Sequence, residues 1–351
     1  KLKFKYNMKE KYFFGWDIGG ANTKLVVCDN NSNIINIEKN NINLWENFEH
    51  LERFISSTYE QNFTKSIVNI VTITGESSDL FDNRNEGILK ILEVAKNTMK
   101  GEVFFYSNNN IFYKSDYVAN NPDHFISTNW MLYKNILLDT KGCIDIIIDI
   151  GSTTTDFIIN SKNFDHGLND FERLNNNTLK YVGVERTMIP MILDNVPFMG
   201  NKVNLVNEDF CTTADIFYLT GDLKSKNIIS KSSDGRPFTS KNCMTRVSRL
   251  IGTDFDINLS KEYSNVASYI KSKILYDINT NIKLLLKNKK NVNLSGVGQG
   301  AFLLKELCEQ NMYKYISLLD RLSFKNMCNI SNEDIYENIP SLLLIKYFIL
   351  K

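Results

Sequence analysis

The stretch FFGWDIGGANTKLVV, residues 13–27, decides how this chain is read. Apolar runs flank Asp17-Ile18-Gly19-Gly20-Ala21-Asn22-Thr23-Lys24, the form of a strand, a tight turn and a second strand. A turn that only reverses direction has no use for two glycines and so many hydrogen-bonding side chains. The surplus points to a site. Residues 143–159, CIDIIIDIGSTTTDFII, restart the pattern: an apolar run, Asp149-Ile150-Gly151, then Ser152, Thr153, Thr154, Thr155 and Asp156, then another apolar run. Self-similarity at this distance predicts two related halves. A third glycine-rich stretch, SGVGQG at residues 295–300, leads from an expected strand at 292–294 into an expected helix at 301–308.

A turn rich in Gly, Ser and Thr aims several backbone N–H groups at one point, which makes an anion-binding concavity. Glycine lets the anion approach closely and tolerates positive φ. Gly19, Gly20, Asn22, Thr23 and Lys24 in the first turn, and Gly151, Ser152, Thr153 and Thr154 in the second, are the candidate phosphate binders. An Asp just before such a turn repels phosphate unless a cation or a nucleophile lies between them, with Mg²⁺ the obvious cation. Asp17 and Asp149 therefore predict a bound Mg²⁺. Gly296, Gly298 and Gly300 suit a nucleotide pocket, or a tight strand-to-helix corner that holds nothing.

The remaining pattern fits an α/β chain. Strands are expected at 12–17, 24–28, 34–38, 67–73, 103–106 and 111–113, and helices at 44–59, 86–99, 124–138 and 260–285. An apolar stretch at 339–350, interrupted by Pro340 and Lys346, reads as a packed C-terminal helix. The domain boundary falls near residue 140, giving lobes at 1–140 and 141–351.

Bulk composition narrows the function classes. Of 351 residues, 43% are hydrophobic and 23% charged, ordinary for a globular chain. Forty-one Lys and Arg against 40 Asp and Glu give a net charge of +1, so no global field draws in nucleic acid or an anionic membrane. Six scattered cysteines and three histidines form no zinc pattern and fit a reducing compartment, with the cysteines as small buried hydrophobes. Residues 1–7 are basic but lack the apolar run of a signal peptide, and no apolar run nears the ~20 residues of a membrane span. The cytoplasm is the expected location, and no oligomeric state is encoded legibly.

Residues 17–24, 149–156 and 295–300 together resemble the two phosphate motifs and the adenosine motif of the ASKHA superfamily (acetate and sugar kinases, heat-shock chaperones, actin). The resemblance implies an actin-like fold of two ribonuclease-H-like α/β lobes with a ligand cleft between them. A closer resemblance is to the small hydantoinase/oxoprolinase-type proteins of one-carbon metabolism linked to methanofuran and tetrahydromethanopterin. It is carried by residues 15–24, TGESSDLF at 74–81, TNW at 128–130, residues 149–156 and YVGVERT at 181–187. Further matches are VPF at 196–198, TTAD at 212–215, LTGD at 219–222 and DGRP at 234–237. Residues 225–233 match nothing in that pattern. The family includes an enzyme that joins an aminomethylfuran diphosphate to the phenol oxygen of γ-glutamyltyramine and releases pyrophosphate. A transferase acting on a diphosphate and a phenolic amine is what the resemblance implies.

In that chemistry the glycine turns hold the departing diphosphate, with Mg²⁺ near Asp17 and Asp149. Glu76 and Asp215 are the candidate proton acceptors for the phenol. Arg186 and Arg236 are candidates for bidentate contact with phosphate or the glutamyl carboxylates, and Trp130 for stacking on a ring. Each also has a structural reading: Glu76 and Asp215 as caps or ion-pair partners, the two arginines as surface ion pairs, Trp130 as core. Two other functions compete. One is an ATP-dependent kinase or hydrolase using the corner at 296–300. The other is a non-enzymatic nucleotide sensor.

Overall fold

The computed structural model describes residues 11–40, 44, 48–60, 66–139, 142–322, 324–326 and 330–350. The chain divides into two units, Lys1–Gly142 with Leu318–Lys351, and Cys143–Ser317. The sequence boundary near 140 falls beside the first crossing. The second lobe, expected to run to residue 351, ends at Ser317 instead.

The first unit is built on β1 (Lys11–Gly19), β2 (Thr23–Cys28), β3 (Asn33–Asn40), β4 (Ser66–Thr74), β5 (Glu102–Tyr106) and the short β6 (Phe112–Tyr113). β1, β2 and β3 form an antiparallel meander, β4 lies parallel to β1, and β5 lies parallel to β4. Strand alternation places Phe14, Trp16 and Ile18 with Leu25 and Val27 on one face. They share a core with Leu51, Phe54 and Ile55 of the helix Glu49–Thr58 and with Ile88, Ile91 and Leu92 of the helix Arg84–Thr98. The expected helix at 44–59 begins at Glu49, and residues 45–47 lie outside the described residues. The helix expected at 124–138 is two pieces, a 3₁₀ turn Pro122–Phe125 and the helix Asn129–Asp139. Ser127, at φ 48°, breaks the helical path between them.

The second unit repeats the plan with β7 (Ile146–Ile150), β8 (Thr155–Ile159), β9 (Leu179–Lys180), the hairpin of β10 (Asn195–Phe198) and β11 (Asn201–Asn204), β12 (Asn293–Val297) and β13 (Lys314–Tyr315). Its main sheet runs β13-β12-β7-β8-β9, with β7, β8 and β9 antiparallel and β12 and β13 parallel to β7. Strand for strand this is the order and sense of β5-β4-β1-β2-β3. Two copies of that topology are the ribonuclease-H-like plan of the ASKHA fold. The long helix Ser260–Leu285, expected from the sequence at the same bounds, lines the core of this unit through Tyr263, Val266, Ile270, Ile274 and Ile278.

After Ser317 the chain returns to the first unit. β14 (Lys325–Asn326) pairs parallel with β3, and the helix Ile339–Leu350 packs on β1 and on the helix Asn129–Asp139. That helix buries Leu342, Leu343, Leu344 and Ile345 completely. Each such side chain contributes about 1.5–3 kcal/mol of transfer free energy. Among the described residues no helix is long and apolar enough to cross a membrane. Cys28, Cys211, Cys243 and Cys308 are free and buried as expected, whereas Cys143 is exposed. Cys328 lies outside the described residues.

Gly15 is what admits the C-terminal helix: a Cβ there would overlap the carbonyl oxygen of Ser341 and sit 3.0 Å from Ile345. Gly15→Val should therefore lower stability by about 1–3 kcal/mol or more. The effect would appear as a lower urea midpoint at unchanged slope. A wild-type midpoint would mean the helix does not lie against β1 at this point.

Candidate functional site

In both units the site begins as one short hydrogen bond across a hairpin. Gly19 N–H donates to Asn22 O at 3.0 Å, and Gly151 N–H donates to Thr154 O at 2.9 Å. The register beneath is the same: Ile18 faces Thr23 and Asp17 faces Lys24, while Ile150 faces Thr155 and Asp149 faces Asp156. Each Asp thus stands two residues before its turn, at the carboxyl end of a strand with a parallel neighbour. In open α/β sheets that end is where ligands bind.

In the first unit Asp17 is 5% exposed. Burial pushes its carboxyl above the ordinary carboxylate range, partly offset by Lys24 and by the Thr74 hydroxyl, which donates at 3.3 Å. Gly75, directly after β4, lies against the turn, and a Cβ there would be 3.0 Å from the Gly19 carbonyl carbon. Glu76 follows, fully buried, and its Oε1 accepts the Ser127 hydroxyl at 2.6 Å. Thr72 and Thr128 bond each other at 2.9 Å. This unit therefore gathers Asp17, Gly19, Gly20 and Glu76 at one end of its sheet. Thr23 is fully enclosed rather than displayed, and Trp130, 3% exposed, belongs to the core.

In the second unit the cross-strand partner of Asp149 is a carboxylate, Asp156, which Arg173 neutralises in a buried ion pair. Burial raises the Asp156 carboxyl, and Arg173 pulls it back. The turn itself is bolted from outside. Val184 N–H donates to Gly151 O at 3.0 Å, and Glu185 and Arg186 N–H groups donate to Ser152 O at 3.1 and 3.0 Å. Gly183 allows this, since a Cβ there would overlap the Ser152–Thr153 peptide. Among the described residues, Ser152 and Thr153 donate their own N–H groups to no acceptor, which leaves them for an anion. Arg186 has an exposed side chain beside this turn.

The three corner glycines each have a packing cause. A Cβ on Gly296 would sit 2.7 Å from Leu304 Cδ1, one on Gly298 would overlap the Asp149 carboxylate, and one on Gly300 would be 2.5 Å from Ile150 Cγ2. Gly298 also holds φ 78°, which favours glycine. The corner is thus shaped by the second turn, and its glycines require no nucleotide to explain them.

Asp215 and Arg236 belong to a different cluster. Asp215 closes a capping box with Thr212 at the start of the helix Thr213–Leu219. Its Oδ2 accepts Thr212 N–H at 3.1 Å, and its Oδ1 takes Arg246 Nε and an Arg246 terminal nitrogen at 2.7 and 2.6 Å. Arg246 reaches Asp234 at 2.9 Å, which Arg249 also contacts at 3.2 Å, and Arg236 lies 3.9 Å from Asp234 with 56% of its side chain exposed. Burial raises the Asp215 carboxyl against these opposing bonds. With both oxygens committed, Asp215 has the geometry of a structural carboxylate.

As for a metal, Asp17 with Thr74 in one unit and Asp149 in the other supply hard oxygen donors. Among the described residues no three His, Cys, Asp or Glu side chains gather into a metal cluster. Taken within its own unit, each carboxylate is a donor of the kind Mg²⁺ accepts, since that ion takes one or two carboxylates and fills its shell from phosphate and water.

Sequence reading missed Glu185, Arg173 and Arg246, because burial and pairing at 17 to 114 residues' separation leave no local pattern. Removing one partner of the Asp215–Arg246 pair should cost about 3–5 kcal/mol. Arg246→Met is expected to lose that stability by urea denaturation, and equal stability would assign the pair no structural role.

The hydantoinase/oxoprolinase family model matches residues 68–318. A Methanocaldococcus jannaschii protein named (4-{4-[2-(gamma-L-glutamylamino)ethyl]phenoxymethyl}furan-2-yl)methanamine synthase is 27% identical over 308 residues, 87% of this chain and 90% of its own length. A Methanococcus vannielii protein of the same name is 32% identical over 188 residues, 52% of this chain and 83% of its own. Among solved structures, the ethanolamine utilization protein EutJ of Carboxydothermus hydrogenoformans superposes at TM-score 0.45 and 12% identity, covering 97% of this chain and 92% of its own. The (R)-2-hydroxyglutaryl-CoA dehydratase component A of Acidaminococcus fermentans superposes at 0.43 and 11%, covering 97% and 99%. Both superpositions are loose. The family match, spanning most of the chain, is decisive: this protein belongs to the hydantoinase/oxoprolinase family.

Proposed function

We propose that this chain is a transferase of methanofuran biosynthesis. It joins (5-(aminomethyl)furan-3-yl)methyl diphosphate to the phenol oxygen of γ-glutamyltyramine and releases pyrophosphate. The observation that carries this reading is the similarity to the Methanocaldococcus jannaschii synthase across 87% of this chain and 90% of that one. The five cysteines among the described residues are free, in keeping with a cytoplasmic location.

The chemistry divides into two demands. The bond between the furfuryl carbon and the diphosphate oxygen breaks first, helped by the electron-rich furan, which stabilises the carbocation. Fixed donors must then receive the charge that develops on the leaving group. The N–H groups of Ser152 and Thr153 and the matching first turn at Gly19 to Asn22 are suited to it, with Lys24 adding charge. Mg²⁺, when bound near Asp17 and Asp149, would neutralise the diphosphate further. The phenol oxygen forms the new ether bond to the same carbon, and its proton passes to a carboxylate. Glu76 fits that role better than Asp215, because it adjoins the first turn while both Asp215 oxygens are held by Thr212 and Arg246. ATP belongs to the alternative of a kinase or hydrolase, which the corner glycines, explained by packing, do not favour.

Purified protein with Mg²⁺ and the two substrates should form the ether and release pyrophosphate in equal amounts. ATP consumption with no ether formed would refute the proposal. Asp17→Ala and Asp149→Ala should each lower kcat by about 10²–10³, and a full rate in both would remove the metal assignment.

Asp17 also predicts an opposition between activity and stability. Its carboxyl is held high by burial, so ionised Asp17 costs stability at neutral pH. That cost fades as pH falls from the raised folded value toward about 3.9, and is gone below it, where the carboxyl is protonated in the folded and the unfolded chain alike. Asp17→Asn should therefore be more stable than wild type at pH 7, with the gain shrinking toward pH 3–4, while activity is lost. Equal stability at pH 7 would contradict this.

A further inference from the structure

Glu185 has no exposed surface and no part in the chemistry above. Both of its carboxylate oxygens are engaged. Oε2 accepts the N–H groups of Ile229 at 3.0 Å and Ser230 at 2.8 Å, and Oε1 accepts the Gln299 amide. Gln299 donates as well to Asn227 O at 3.2 Å. At the backbone, Glu185 N–H donates to Ser152 O at 3.1 Å, and Ala214 N–H donates to Glu185 O at 3.3 Å. One residue thus joins the second glycine turn, the Gly298–Gly300 corner and the segment at 225–233.

Burying so polar a side chain is expensive unless its hydrogen bonds are complete, so fixing this junction with a glutamate is a specific arrangement. Residues 225–233 lie outside every motif quoted above. They begin at a 3₁₀ turn, Ser225–Asn227, and the segment's two lysines, Lys226 and Lys231, are exposed, as is Lys224 just before it. Two backbone amides of this lysine-bearing segment end on a residue whose own N–H holds the phosphate-type turn. The segment lies one glutamate side chain away from that turn.

We infer that Glu185 is a positioning residue for the diphosphate half of the reaction. It fixes the segment beside the second glycine turn, so that the segment's lysines add positive charge where the leaving group is held. This inference rests on the diphosphate chemistry proposed above.

The test is steady-state kinetics on wild type, Glu185→Gln and Gln299→Ala, with amide hydrogen exchange on each. In Glu185→Gln, KM for the furan diphosphate should rise at least tenfold, while KM for the phenolic substrate stays within twofold and kcat within threefold. Exchange at Ile229 and Ser230 should quicken at least tenfold, with the helix Ser260–Leu285 still protected. Gln299→Ala, which keeps both backbone bonds to Glu185, should move the diphosphate KM in the same direction by less. Faster exchange without a change in that KM, or equal rises in both KM values, would overturn the inference. If Glu185→Gln loses protection in Ser260–Leu285, then Gln299→Ala and Lys226→Ala decide it by the same split in KM. If the wild type turns over no furan diphosphate, the functional proposal fails by itself and inorganic pyrophosphate becomes the probe. Pyrophosphate that slows exchange at Ile229 and Ser230 in wild type but not in Glu185→Gln supports the positioning role, and no effect in wild type rejects it.

Discussion

In each unit the backbone that leaves the fourth strand of the sheet lies in direct contact with the hairpin between the first two. Gly75 touches the Gly19–Gly20 peptide, and Gly300 presses on Ile150 while its N–H donates to Ile150 O at 2.8 Å. Only glycine permits approaches this close, because any Cβ would occupy the space of the neighbouring chain. With that contact made, the hairpin is held from behind. Its turn can then present N–H groups outward, and the Asp two residues earlier is fixed beside it. Gly298 continues the same logic, since its missing side chain is the room that the Asp149 carboxylate occupies.

The two units apply this constraint with opposite electrostatics. Asp17 faces Lys24 across the hairpin, whereas Asp149 faces Asp156, which needs Arg173 to neutralise it. The first hairpin therefore carries its own cation within the pair of strands, and the second borrows one from the helix Asp170–Asn175. The backbone geometry is duplicated while the charge beneath each turn has diverged.

Polar groups sealed inside the second unit do unlike jobs despite similar burial. Asp215 and Arg246 complete each other and hold two helices together through a capping box and an ion pair. Glu185 instead joins three loops that regular secondary structure does not reach. His166 accepts Ile159 N–H at Nε2 and contacts Phe164 O through Nδ1, so its ring serves as a hydrogen-bonded strut in the core.

The sequence by itself determined the longer strands, the long helices, the duplication and the two Asp-Ile-Gly turns. Those features are written in local alternation, helical spacing and glycine placement, which a linear reading captures. It also named Asp17 and Asp149, which stand just before the glycine turns, as candidates. Only the tertiary structure decided that the C-terminal helix returns to β1, that Asp215 is committed to Arg246, and that Glu185 rather than Arg186 has the buried side chain at the second turn. Each of these depends on partners far apart along the chain: 31 residues for Asp215 and Arg246, 44 and 114 for Glu185 with Ile229 and Gln299. Residue type states what a carboxylate is able to do. Which cation, amide or solvent it faces is set only when distant segments pack around it.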